Sequence, residues 1–249
     1  MVASNPARTL LVEGDVLLIR FALAVLPVAA LAQAPAAESA IRADYIRAIG
    51  GAEALKTVTS RVTEGRFDNG RGLRDVFRLY EKAPNKRLTV IGQQPITSPQ
   101  GSGRGYDGAS GWDKNFIGTG LRTLQGVELA DLAREADFFA VLGVFDACST
   151  ISVDSPVDNE KRVRCRLADG RSEHYRFSSD GVLSHREIEL PGSRGTVTLR
   201  YEDYRPADAL LVPFRTTVIL PDGIAVTYVT ERVRHNVPID DTVFARPAR

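Results

Sequence analysis

Tight-turn dipeptides punctuate this chain at short, regular intervals, and they constrain its fold more than any other feature. Asn69-Gly70, Asp107-Gly108, Asp169-Gly170, Asp180-Gly181, Pro191-Gly192 and Asp222-Gly223 each stand between short runs that alternate apolar and polar side chains. Asn-Gly and Asp-Gly supply the positive φ angles of two-residue hairpin turns, so each such pair joins antiparallel neighbours. The spacing predicts strands near 59–68, 72–81 and 86–92, two short ones around Asp107-Gly108, and a second series near 160–167, 172–178, 182–190, 195–204, 210–220 and 224–234. Val197, Leu199 and Tyr201 alternate with Thr196, Thr198, Arg200 and Glu202, the pattern of a strand that buries one face. No strand–helix–strand rhythm is present, which argues against a parallel sheet and a dinucleotide site at its switch point.

Two segments have helical period instead. In Glu38–Gly51, Ile41, Tyr45, Ala48 and Ile49 share one face, and Gly50-Gly51 supplies the stop. In Gly126–Leu142, Leu129, Leu132, Ala136, Phe139 and Leu142 repeat at helical spacing. One long sheet with one dominant apolar face and two helices to cover it define an α+β fold. The expected form is a single strongly curved antiparallel sheet, an open half-barrel, covered by an N-terminal helix and a mid-chain helix. Thr97–Gly105, rich in Gly, Ser and Pro, reads as a loop.

The N-terminus reads as an export signal. Arg20 precedes the apolar run 21–31, and small residues follow at Ala30, Ala32 and Ala34. The expectation is a signal peptide over 1–34, cleaved near 32–34, followed by one domain over 35–249. Glu13 and Asp15 are acidic for such a leader, and a start nearer Val16 would remove them. No Cys follows the apolar run, which argues against a lipid-modified N-terminus. Export makes a disulfide between Cys148 and Cys165 possible. If the hairpin closes with Val153 facing Glu160, the two cysteines stand directly opposite. Two buried free thiols are the alternative.

Catalytic signatures are missing: there is no HExxH, CxxC, GxSxG or phosphate-binding Gly-rich loop with Lys-Ser/Thr. His174, His185 and His235 have no metal-ligand spacing and read as solvent-facing strand residues, and Asp203, Asp208, Asp240 and Asp241 as turn or rim residues. No enzyme, cofactor or metal is expected. Lys+Arg (32) nearly cancels Asp+Glu (31), so charge provides no argument for nucleic acid. What remains is a concave apolar surface that is either fully packed or holds a cavity. Candidate lining residues are the inward set Phe77, Leu79, Leu88, Val90, Trp112, Phe116, Phe139, Tyr175, Phe177, Val197, Leu199, Val226 and Tyr228.

Three stretches carry a family resemblance. They are 45–55 (YIRAIGGAEAL), 106–112 (YDGASGW) and the C-terminal set Tyr201-Glu202-Asp203-Tyr204-Arg205, Val212-Pro213-Phe214, Asn236, Ile239, Asp240 and Phe244. In this order and spacing the chain resembles the outer-membrane lipoprotein-sorting proteins of the LolA/LolB-like carrier superfamily, over about 40 to 247. The resemblance implies an unclosed β-barrel with helices as a lid, periplasmic location, no catalysis, and a cavity for acyl chains. The expected role is a monomeric carrier of a lipid or lipidated protein, with another envelope protein as a further partner. An exported non-catalytic interaction module is the alternative.

Overall fold

The structure, a computed structural model, describes residues 29–115 and 120–248. The expected leader falls largely outside the described residues, as does Phe116. Helix α1 (Ala29–Ala48) extends back through the expected cleavage positions. A short α2 (Ala52–Thr57) follows Gly50 and Gly51, whose φ angles of 123° and 89° let the chain turn out of α1.

The strands are β1 (Ser60–Asp68), β2 (Arg74–Lys82), β3 (Lys86–Ile91), β4 (Ser102–Tyr106), β5 (Gly111–Asn115) and β6 (Gly120–Thr123). After α3 (Gly126–Ala136) come β7 (Cys148–Val157), β8 (Glu160–Leu167), β9 (Ser172–Phe177), β10 (Leu183–Glu189), β11 (Thr196–Ala207), β12 (Leu210–Ile219) and β13 (Ala225–His235). They form one antiparallel 13-stranded sheet in the order β6-β5-β4-β3-β2-β1-β13-β12-β11-β10-β9-β8-β7. The first six strands step outward from the centre to one edge. The chain then crosses to the opposite edge and steps back, until β13 pairs with β1. The sheet is not closed.

This order forces curvature. Twelve inter-strand steps of about 4.8 Å separate the edges by almost 60 Å along the sheet. The connection from Thr123 to Cys148 contains α3, about 16 Å long, and a run of consecutive turns over 137–147. That span is too short to cross a flat sheet, so the sheet curls and the connection straps its concave face.

Register separates the two faces. Arg61, Glu81, Arg87 and Tyr106 are cross-strand partners on the concave side, and Tyr106 packs with Leu124, Leu132 and Ala136 beneath α3. One residue along, Val62, Tyr80, Leu88 and Gly105 face outward. There Val62, Leu88, Val90 and Trp112 pack against Ile239 and Phe244 of the C-terminal segment. The Trp112 indole donates to the Phe244 carbonyl oxygen at 3.1 Å. At the other end of the concave face, Ile41 and Tyr45 of α1 and Ile49 just after it pack on Val163, Cys165, Tyr175, Phe177 and Leu183, with Phe145 of the strap between them.

Four expectations need correction. The mid-chain helix ends at Ala136 rather than Leu142: Asp137 turns out of it and accepts from the Phe139 amide at 3.0 Å, while the Phe138 amide donates to the Pro84 carbonyl at 3.0 Å. The expected loop 97–105 contains most of β4, where a Cβ at Gly103 would overlap the Thr89 carbonyl and one at Gly105 the Trp112 ring. The β7–β8 hairpin turns at Asp158-Asn159, both at positive φ (52° and 63°), so Val157 and not Val153 faces Glu160. Register shifts follow, and Cys148 pairs with Leu167. A disulfide nevertheless joins Cys148 to Cys165, with Cα atoms 5.3 Å apart. Finally, the His235 side chain is buried (3% exposed) and its Nδ1 lies 2.9 Å from the Asp208 carboxylate.

Candidate functional site

Where the strap leaves the end of α3, it stands off the sheet and encloses a cavity of about 270 Å³. Its walls come from Tyr45 of α1, Ile49 just after it, Leu55 of α2, Phe138 to Val141 of the strap, Leu183, Tyr201 and Tyr204, and Leu210 to Pro213 of β12. Arg61 and Glu81 form part of its floor, and the exposed Glu135 and Asp137 stand at its rim. Most of this lining is aliphatic or aromatic, with a few polar groups inside, the composition of a small-molecule site. The volume is just below the usual range for such sites.

The floor charges are bound to one another. Arg61 Nε donates to Glu81 at 2.6 Å, Arg87 Nη1 donates to the other carboxylate oxygen at 2.5 Å, and the Arg61 guanidinium lies 5.8 Å over the Phe138 ring. Burial opposes ionisation of Glu81, but Arg61 and Arg87 outweigh it and hold the carboxyl below its ordinary value. Burial also pushes the phenols of Tyr45, Tyr201 and Tyr204 upward, so all three are neutral hydroxyls at neutral pH. Tyr204 donates to the Leu183 carbonyl oxygen at 2.7 Å. Among the described residues, the Tyr45 and Tyr201 hydroxyls have no hydrogen-bond partner.

A second polar cluster pins the strap. Glu173, fully buried, accepts from Arg134 Nη1 of α3 at 2.8 Å, from Tyr175 at 2.6 Å and from Arg186 Nε and Nη2 at 3.0 and 2.8 Å. Asp131 of α3 accepts from Arg134 and, at 2.9 and 2.8 Å, from both terminal nitrogens of Arg171. Burial would raise the Glu173 carboxyl, yet Arg186, Tyr175 and Arg134 together lower it.

Of the residues expected to line a cavity, Phe139 lines this one. Tyr175 and Phe177 are packed solid beneath α1, with Phe145 at ring distances of 5.3 and 6.0 Å and Tyr45 5.3 Å from Phe177. Leu88, Val90 and Trp112 lie on the outer face under the C-terminal segment. Phe77, Leu79, Val197, Leu199, Val226 and Tyr228 are on the concave face but beyond the cavity. There all but Phe77 are half-buried, and Tyr228 stacks near Phe67 and Phe77 at 5.2 Å from each. Tyr201, Thr216, Tyr228 and Phe67 are successive cross-strand partners. This row makes the cavity and the open apolar trough one continuous surface.

A separate hollow of about 310 Å³ sits at the β1–β13 bulge. Its walls are mainly the charged Glu64, Arg78, Glu231 and Arg232, and it lacks the enclosure of the strapped cavity. No group of three or more His, Cys, Asp or Glu among the described residues is arranged to hold a metal ion. No described helix is long and apolar enough to cross a membrane.

The unclosed antiparallel half-barrel with its helical strap is a fold shared with solved structures of low sequence identity. A DUF1329 family protein from Desulfovibrio piger superposes with a TM-score of 0.58 at 13% identity, covering 83% of this chain and 96% of that one. A LolA superfamily protein from Nitrosomonas europaea gives 0.51 at 16% identity, with 83% and 96% covered. A domain from Vibrio parahaemolyticus, named for outer-membrane lipoprotein sorting, gives 0.55 at 10% identity, with 86% and 96% covered. No family model matches the sequence, and no curated protein matches it.

Proposed function

We propose that this protein is a periplasmic carrier that takes an acyl chain of a lipid or lipidated protein onto the concave face of its half-barrel. The observation that carries the reading is the continuity of the strapped cavity with the half-buried trough of Leu79, Leu199, Val226 and Tyr228. An extended hydrocarbon chain is the ligand that matches a long apolar surface with one enclosed end. Each CH₂ taken from water contributes about 0.8 kcal/mol, so ten methylenes supply about 8 kcal/mol before the costs of association. No charged anchor is needed for useful affinity. The likeness to LolA-superfamily and lipoprotein-sorting structures supports the same reading, and so does the leader-like N-terminal sequence, which fits export. The likeness to a structure named for lipoprotein sorting agrees with a non-catalytic role.

Native mass spectrometry tests the proposal. Delipidated protein incubated with a long-chain lipid is expected to gain one ligand mass that survives gentle desolvation. A clean unliganded mass at micromolar lipid, with a known carrier loading in parallel, would overturn it.

A further inference from the structure

The cavity floor holds more positive charge than its carboxylate cancels. Arg61 and Arg87 share Glu81, one guanidinium on each carboxylate oxygen. Burial opposes ionisation of Glu81, but the two arginines outweigh it and keep the group charged. Two cations against one anion leave one positive charge at the base of a largely apolar space. A charge in such surroundings is costly unless an opposite charge meets it.

Of the two arginines, Arg61 lines the cavity. Its Nε is taken by Glu81, and among the described residues its two terminal nitrogens have no hydrogen-bond partner. They are not sealed in protein, since the side chain is 31% exposed. Its contact with the Phe138 ring, 5.8 Å from the centroid, spends no N–H group. Parallel N–H groups on the edge of a guanidinium match the two oxygens of a carboxylate. Tyr45 in the wall, kept neutral by burial and near enough to Arg61 for that charge to act on it, adds a hydroxyl donor. The remaining carboxylates of the lining, Glu135 and Asp137, are exposed at the rim, where water screens them, and Asp137 already accepts the Phe139 amide. One residual charge in a space of about 270 Å³ favours a compact, singly charged head over a bulky phosphodiester.

We infer that the ligand is a free long-chain fatty acid, its ionised carboxylate held by the terminal nitrogens of Arg61 while its chain follows the trough. This rests on the acyl-carrier reading above, and it selects among acyl compounds by the chemistry of the head. A fatty alcohol is a compound it disfavours, although its chain is the same.

Equilibrium binding of oleate, oleyl alcohol and oleoyl lysophosphatidylglycerol to the full chain separates the possibilities, at mildly alkaline pH where oleate is ionised and below micellar concentrations. Oleate is expected to bind about tenfold tighter than either of the others, or more, the worth of a charge-assisted pair. Arg61→Gln is expected to weaken oleate by about the same factor and to leave oleyl alcohol unchanged. Glu81 keeps Arg87 in that variant. Its unfolding midpoint shows whether it is folded, and the wild-type ligand series needs no variant. A smaller preference for oleate over either ligand, or a folded Arg61→Gln protein with undiminished oleate affinity, would overturn the inference and leave the carrier reading standing. Failure of all three ligands to bind would overturn both.

Discussion

Glu173 shows how one residue can hold two layers of the molecule together. It is a carboxylate at a strand position whose neighbours in phase, Tyr175 and Phe177, are core residues, so alternation alone puts it inside. Burial there is tolerable only because Arg134, Arg186 and Tyr175 fill its lone pairs. Removing the charge while keeping the shape takes from Arg186 its carboxylate partner and leaves Arg134 with Asp131 alone. Glu173→Gln is therefore expected to destabilise by about 3–5 kcal/mol, read as a lower urea midpoint, and an unchanged midpoint would refute the role. Gly105 makes the opposite kind of demand, since it has to be small. Gly105→Ala is expected to cost about 1–3 kcal/mol as the Trp112 indole is pushed from its seat, visible as a red shift of tryptophan emission. Neither residue stands out in the sequence. A lone Glu among apolar neighbours looks like a surface residue until its arginines, on α3 and β10, are brought to it. Gly105 sits in a run whose composition reads as a loop, and the large residue that needs its smallness is on the next strand.

Turns were the most legible elements, because their chemistry is local. Asp169-Gly170, Asp180-Gly181 and Asp222-Gly223 all turn as read, with glycine φ angles of 83° to 86°. Element ends were less legible where a tertiary contact decides them. The apolar period of α3 runs on to Leu142, but the Pro84 carbonyl captures the Phe138 amide and Asp137 caps the exit, so the helix stops where the strap begins. The cysteine pair shows the same limit: residue types suggested the bridge, and bulges moved the register. The disulfide spans 17 residues of sequence, and loop-closure entropy gives it about 3 kcal/mol. Replacing both cysteines by serine is expected to lower stability by that order, and a melting temperature indifferent to reduction would contradict it. The strap's ionic clasp is sensitive to acid. A carboxyl held below its unfolded pKa stabilises fully above that value and loses the contribution as pH falls through its folded one. For Glu173, whose ordinary value is 4.5, the clasp is complete at neutral pH and weakens below about 4.5. Hydrogen exchange of the α3 amides, corrected for intrinsic rates, is expected to accelerate between pH 6 and 3.5 ahead of the central strands. Uniform protection at both pH values would contradict this.

At the scale of the whole molecule, the alternating strands and the two helical segments were enough to define one curved sheet under a helical cover, but not its order. The pairing that closes the middle of the sheet joins β1 to β13, and the Glu64–Arg234 contact there links residues 170 apart. Nothing local marks such a pairing. The consequences are large, since it puts the two free edges at β6 and β7 and makes the chain between them a strap. That strap decides which apolar residues are packed, which line a cavity and which lie open in a trough. Three of the inward set, Leu88, Val90 and Trp112, are buried for another reason: the outer face has its own core, under Ile239 and Phe244. The central claim is that an acyl chain lies on the concave face, from the cavity along the trough. Methyl NMR with a spin-labelled acyl chain tests it most directly. The account predicts paramagnetic broadening of Leu55, Val141 and Leu211 around the cavity and of Leu199 and Val226 along the trough, with Leu88 and Val90 on the outer face sharp. Broadening confined to the outer face, or none at saturating ligand, would contradict it.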